Sequence, residues 1–170
     1  MALVVHPSVP VTFLSEYIAM AKAKPGSMTF GSVGAGSVHH FAGEWLKMLT
    51  SVDIVHVPYK GSGPLIIDLL GGHSPSGFAT LLPAMQHVKT GKLRALAVTT
   101  QKRVSMLPDV PALSETLPGF DITQWNAVWA PAATPKDVLD KLTVEITRIV
   151  QSTDYKARML EQGAMLESCV

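Results

Sequence analysis

Between a short apolar segment and an amphipathic one lies Phe30-Gly31-Ser32-Val33-Gly34-Ala35-Gly36-Ser37-Val38-His39-His40. No other stretch limits the fold so tightly. Its glycines open a tight turn between a strand and a helix, and they let consecutive backbone N–H groups face a ligand with no side chain in the way. The helix that follows adds unpaired N–H donors and the positive end of its dipole. Strand, glycine-rich turn and helix in that order form an anion cradle in an α/β fold. The same residues also fit a plainer reading, in which Ser37 is only a helix N-cap and the glycines only make the turn.

Strand and helix patterns alternate on both sides of this turn. Residues 3–5 predict a short buried strand, ended by the turn from Pro7 to Pro10. Phe13, Leu14, Tyr17, Ile18 and Ala21 then recur at helical spacing until Pro25-Gly26 stops them. Residues 28–31 predict a strand, 37–49 a helix carrying Phe41, Trp45, Leu46 and Leu49, and 52–57 a second strand, which together make a βαβ unit. Pro64 suits the first turn of a helix that runs to Leu70 and ends at Gly71-Gly72. Another helix is predicted over 82–89, stopped by Gly91. Residues 93–98 are nearly continuous in apolar character, as in strands covered on both faces, so a mostly parallel sheet flanked by helices is expected. Residues 101–120, punctuated by Pro108, Pro111 and Pro118, predict a surface loop with one small helix at 112–117. Residues 122–130 read as extended. Pro135 opens a long helix with Val138, Leu139, Leu142, Ile146 and Ile149 on one face, and 155–161 predict a last helix before Gly163.

Composition narrows the function. Hydrophobic residues make up 47% of the 170 and charged residues 16%, enough apolar surface for a real core. The length suits one domain, or one lobe of a larger protein with some extra. A net charge of +1 with no basic run argues against nucleic acid as a partner. The single Cys169 can form neither an internal disulfide nor a thiolate metal site. His39 and His40 are adjacent on a helix and point about 100° apart, so they cannot chelate one ion together. His6, His56, His73 and His87 have no carboxylate or thiol at ligand spacing, and no metal is expected. A dinucleotide fingerprint would need a third glycine where His39 stands, and a phosphate loop would need a lysine after Gly36. The first seven residues lack a basic n-region, a long enough h-region and a cleavage site, so no signal peptide is read there. Apolar stretches break off well short of the roughly 20 residues a bilayer requires.

Four stretches together resemble a known family. They are residues 31–40, then His56-Val57-Pro58-Tyr59-Lys60-Gly61-Ser62, then Gly91-Lys92-Leu93-Arg94-Ala95-Leu96-Ala97-Val98, and Leu107-Pro108-Asp109-Val110-Pro111 with Glu115. Trp125 and Ala130-Pro131-Ala132-Ala133-Thr134-Pro135 extend the match. The chain is similar in these segments to the tripartite tricarboxylate transporter receptors, the TctC or Bug type of extracytoplasmic solute-binding protein. The resemblance implies a two-lobed, type II periplasmic-binding-protein-like fold that closes on a small carboxylate: a dicarboxylate, citrate, an amino acid or an aromatic acid. It implies no catalysis and no cofactor, a periplasmic location, and delivery to membrane carrier subunits. Residues 7–120 would be the second, ligand-binding lobe; 1–6 and 121–170 would be a remnant of the first lobe with the crossing segments. A chain truncated at both ends in this way would leave apolar surface uncovered and favour self-association. Two positions depart from the family pattern. Ser74-Pro75 precedes the strand expected to enter the cleft, which should therefore start late, and Asn126 follows Trp125 where an aromatic residue is usual.

The site implied by these segments uses the backbone N–H groups of Gly34, Ala35, Gly36 and Ser37 and the hydroxyls of Ser32 and Ser37. His39 would hydrogen-bond near the loop or simply pack. Tyr59 and Ser62 lie in a second loop at the same strand-end edge, with packing and solvation as the plainer reading. Thr80 could supply a third contact or serve only as an N-cap. Trp45, Trp125 and Trp129 read as packing residues. Two alternatives stand beside binding: a small α/β enzyme acting on a phosphorylated or CoA-linked substrate, with His39 as the base nearest in sequence, and a truncated binding protein without ligand.

Overall fold

In a computed structural model, which describes residues 1–125 and 127–161, the chain divides into two compact units, Met1–Gln124 and the part from Trp125 onward. The first unit holds five strands, β1 (Ala2–Val5), β2 (Met28–Ser32), β3 (Ile54–Pro58), β4 (Ser76–Ala79) and β5 (Arg94–Val98). They form one sheet in the order β3-β2-β4-β1-β5. β2 pairs in parallel with both β3 and β4, while β1 runs antiparallel to β4 and to β5. The sheet is thus mostly parallel, with β1 as the reversed strand. Four helices follow strands along the chain: α1 (Leu14–Ala23), α2 (Val38–Thr50), α3 (Ser62–Leu70) and α4 (Leu81–Lys89).

The reversed strand shows why the sheet has two covered faces. Leu3 and Val5 pack with residues of α1 and α2, whereas Ala2 and Val4 pack with residues of α3 and α4. Successive side chains on a strand point to opposite faces, so a run that is apolar at every position suits the middle of a covered sheet. Residues 1–6 are expected with the remnant of another lobe; of these, Ala2–Val5 pair with β4 and β5 inside this sheet. The core also continues past the expected boundary at residue 120, since Phe120 and Ile122 pack in the same cluster as Leu3.

β4 begins at Ser76, directly after Pro75, whose carbonyl accepts the His6 N–H at 3.0 Å. The serines around this proline are tied inward. The Ser74 hydroxyl donates to the Ser76 carbonyl, and the Ser76 hydroxyl donates to the Thr29 carbonyl at 2.7 Å. Tyr17 is wholly buried, and burial pushes its phenol up to about 12, so it stays protonated and donates to the Ser76 oxygen at 2.8 Å. On α2, Gly43 lies so close to the Phe30 ring that an added Cβ would overlap it. The helix therefore sits hard against the strand that leads into the glycine-rich turn.

Residues 101–120 form the expected loop, with a single 3-10 turn at Leu113–Glu115. Arg103 grips Glu115 through two hydrogen bonds of 2.8 and 2.7 Å, and Glu115 also accepts the Ala112 N–H. The second unit contains α5 (Lys136–Gln151) and α6 (Thr153–Glu161). The stretch read as extended forms no strand over 122–125 or 127–130, and Asn126 lies outside the described residues, as do Gly163 and Cys169. Among the described residues no helix is long and apolar enough to cross a membrane.

Candidate functional site

Three helices start along one edge of the sheet. Each of α2, α3 and α4 follows one of the neighbouring parallel strands β2, β3 and β4, so the loops 33–37, 59–61 and residue 80 emerge side by side at the strands' C-terminal ends. In open parallel sheets this edge is where ligands bind. The loops are joined by backbone bonds, Tyr59 N–H to the Ser32 carbonyl at 2.9 Å and Gly61 N–H to the Val33 carbonyl at 3.2 Å.

Within the first loop the serines hold the turn. Ser32 is fully buried; its hydroxyl lies 3.0 Å from the Gly34 carbonyl and 2.7 Å from His56 Nε2, and it accepts the Gly34 N–H. The Ser37 hydroxyl donates to the Gly34 carbonyl at 2.7 Å and caps α2 by accepting the His40 N–H at 3.2 Å. Both hydroxyls are thus occupied inside the loop, and the N-cap reading of Ser37 describes what its side chain does. Gly36 has φ +76° and Gly61 φ +102°, backbone that side chains rarely adopt, and an added Cβ at either would meet nothing within 4 Å. Both glycines border open space. The N–H of Phe41 is the first in α2 to reach a backbone acceptor, the Ser37 carbonyl, which leaves the Val38 and His39 N–H groups pointing out of the helix end.

Thr80 caps nothing with its hydroxyl. Its Oγ1 instead stands 3.0 Å from His39 Nε2 and 3.2 Å from the Ser62 hydroxyl, so one polar chain links the starts of α2, α4 and α3. His39 is 2% exposed, and its Nδ1 is buried without a partner among the described residues. Burial pushes its pKa down to about 4, so the ring is neutral at physiological pH. Among the described residues no carboxylate is bonded to the ring, and a neutral, enclosed imidazole bonded to a threonine is poorly placed to act as a general base for a substrate at Ser37.

Tyr59 was expected at the ligand, but its hydroxyl donates to Asp68 Oδ2 at 2.8 Å, at the far end of α3. The loop position is as predicted, while the side chain packs along α3. Two residues outside the predicted site support it. His40 stacks on His56 at 3.9 Å with a 17° tilt, and Gly36 N–H donates to His40 Nδ1 at 3.1 Å. Burial and the neighbouring His40 hold the His56 pKa below its ordinary value. The available signal was register: His56 on β3 lies opposite Phe30 on β2, whose next neighbour but one is Ser32.

Charge distribution separates these helices from the rest. The first turns of α2, α3 and α4 contain no acidic residue, whereas α1, α5 and α6 have Glu16, Asp137 and Asp154 there. An acid in the first turn offsets the positive helix end. Where three such ends meet, that offset is missing.

An α/β sheet with helix starts gathered at one parallel edge is an arrangement that this chain shares with periplasmic binding proteins. The chain belongs to the tripartite tricarboxylate transporter family receptors (TctC), whose family description matches residues 1–167. Protein BugT of Bordetella pertussis is 34% identical over 165 residues, covering 96% of this chain and 51% of BugT. The solved structure described as R. palustris Rpa4515 with adipate superposes with a TM-score of 0.92 at 33% identity, over 96% of this chain and 55% of that one. MatC (Rpa3494) from Rhodopseudomonas palustris, with bound malate, gives 0.89 at 28% identity, over 96% and 56%. The chain spans about half the length of the curated relatives it matches. A third structure, described as periplasmic binding protein BugD, superposes with a TM-score of 0.91 at 30% identity, over 96% of this chain and 55% of that one.

Proposed function

We propose that the edge where α2, α3 and α4 begin binds a carboxylate of a small organic anion, and that the protein serves as a receptor of a tripartite tricarboxylate-type transporter. The observation that carries this reading is the absence of first-turn acids on these three helices, when every other α-helix among the described residues has one. The positive ends are left for an external anion to satisfy. The Gly34, Gly36 and Ser37 N–H groups are engaged within the loop and with His40, so the Ala35 N–H and the Val38 and His39 N–H groups at the α2 start supply the backbone donors, and Ser62 and Thr80 add hydroxyls. Ser32 and Ser37 shape the loop, and His39 stands behind it. Each charge-assisted bond would contribute roughly 1.5–3 kcal/mol.

Adipate and malate are bound by two structural neighbours, and a linear dicarboxylate is the ligand class the proposal favours. The work is capture and release in the periplasm, with the membrane carrier subunits as the receiving partner. Residues 7–124 with β1 form one lobe of the site, and a second lobe closing on the ligand would supply the remaining donors and exclude water. Isothermal titration with adipate, malate, citrate, amino acids and aromatic acids tests this. Saturable heat with a dicarboxylate that disappears with its diamide is expected. Absence of heat with every acid, from a full-length protein that includes the second lobe, would leave a binding fold without a ligand and end the proposal.

A further inference from the structure

We infer that His39 is the positioning residue that turns the Thr80 and Ser62 hydroxyls into hydrogen-bond donors toward the ligand, so that the site prefers an ionised carboxylate to its uncharged amide. The inference rests on the anion-binding reading above and adds what sets its selectivity.

The hydroxyls of Ser32 and Ser37 are already committed to the Gly34 carbonyl. The Thr80 hydroxyl is bonded both to His39 Nε2 and to the Ser62 hydroxyl. What they present outward depends on which way the chain of protons runs. If His39 carries its proton on Nε2, it donates to Thr80 Oγ1, Thr80 donates onward to Ser62 or to a ligand, and a hydroxyl proton is left facing out. If the proton sits on Nδ1, Thr80 must donate back to Nε2. Ser62 then donates to Thr80, and lone pairs face the ligand instead. One proton position makes a donor surface and the other an acceptor surface.

The burial of Nδ1 decides between them. That atom has no partner among the described residues and is shut off from water. A buried N–H with no acceptor is rarer in folded proteins than a buried acceptor with no donor. The Nε2–H form leaves only a lone pair at the dry position. It also agrees with the three unneutralised helix starts, since donors and positive helix ends then favour the same ligand charge. A carboxylate, which only accepts, matches such a surface; an amide would oppose its own N–H₂ to donors.

Two measurements test this on the same protein. With histidine rings labelled with ¹⁵N, the His39 signals, assigned by their loss in His39→Gln, should show the Nε2–H form at neutral pH. A proton on Nδ1 would overturn the inference. In titrations with adipate and adipamide, His39→Leu should weaken adipate about tenfold or more and reduce the adipate-to-adipamide preference by a similar factor, the loss of about one charge-assisted bond. His39→Gln, which can still donate to Thr80, should stay within about threefold of the parent. In a Thr80→Val background the His39→Leu change should have no further effect, because the link it acts through is gone. A folded His39→Leu protein that keeps the parent preference overturns the inference while leaving carboxylate binding intact. Failure of the parent to bind any carboxylate overturns the functional reading, and with it the role assigned to His39.

Discussion

The unit Met1–Gln124 and the segment from Trp125 onward use the same kinds of apolar residue to different ends. In the first, Leu46 on α2 and Leu65 on α3 are fully buried against opposite faces of one sheet. In the second, α5 carries an equally regular stripe, yet it buries none of its residues, and Leu142 and Ile149 are each 46% exposed. Val128, Trp129 and Ala130 cover part of that stripe and leave a shallow apolar cleft. An amphipathic pattern states what a helix wants to cover, and a sheet or another helix must supply the cover.

The sharpest way to break this comparison is a matched pair of truncations. Leu46→Ala should cost about 2–5 kcal/mol, as for a fully buried leucine, while Leu142→Ala should cost below about 1 kcal/mol. Denaturant unfolding followed by circular dichroism measures both. A comparable cost at Leu142 would mean that α5 is packed as tightly as α2. Next in size, Gly43→Ala drives a methyl group into the Phe30 ring and should cost about 1–3 kcal/mol. An unchanged unfolding midpoint there would show that α2 is not pressed against β2. Tyr17→Phe removes one buried donor to Ser76 and should cost about 0.5–1.5 kcal/mol by the same measurement.

The smallest effect concerns the exposed clasp on the loop that ends the first unit. The Arg103 hydrogen bonds, followed by the Ala112 N–H, hold the Glu115 carboxyl down at about 2, against an ordinary 4.5. A depressed carboxyl pKa stabilises the folded state above the ordinary value, and the contribution is lost as pH falls through the folded one. The difference in melting temperature between the parent and Glu115→Gln should therefore be small but present at pH 6 and close toward pH 2. A difference that persists at pH 2 would assign the effect to something other than this ion pair.

Much of the fold was legible because its signals are local. The helices at 14–23, 38–50 and 81–89 and the turn at 33–37 follow from apolar spacing, prolines and glycines within a few residues of each other. The place of β1 was not legible: a four-residue apolar run does not say which sheet it joins, and partners at Ala79 and Val98 lie far along the chain. The same holds for the site. Positions 34–37, 62 and 80 are marked by turn chemistry, whereas Tyr59 could be seen to lie in the right loop but not to turn toward Asp68. The stacking of His40 on His56 depends on the register of β2 with β3.

What the amino-acid order determined by itself is the glycine-rich turn, the α/β alternation and the absence of acids at the starts of three particular helices. Each follows from neighbours along the chain, where propensity and capping act. Only the tertiary structure decided that those three helix starts meet at one edge, and that Thr80, forty-one residues from His39, bonds to its ring. Sheet order brings such residues together, and it is set by long-range pairing and by the burial of both faces of the sheet, which no single stretch of sequence contains.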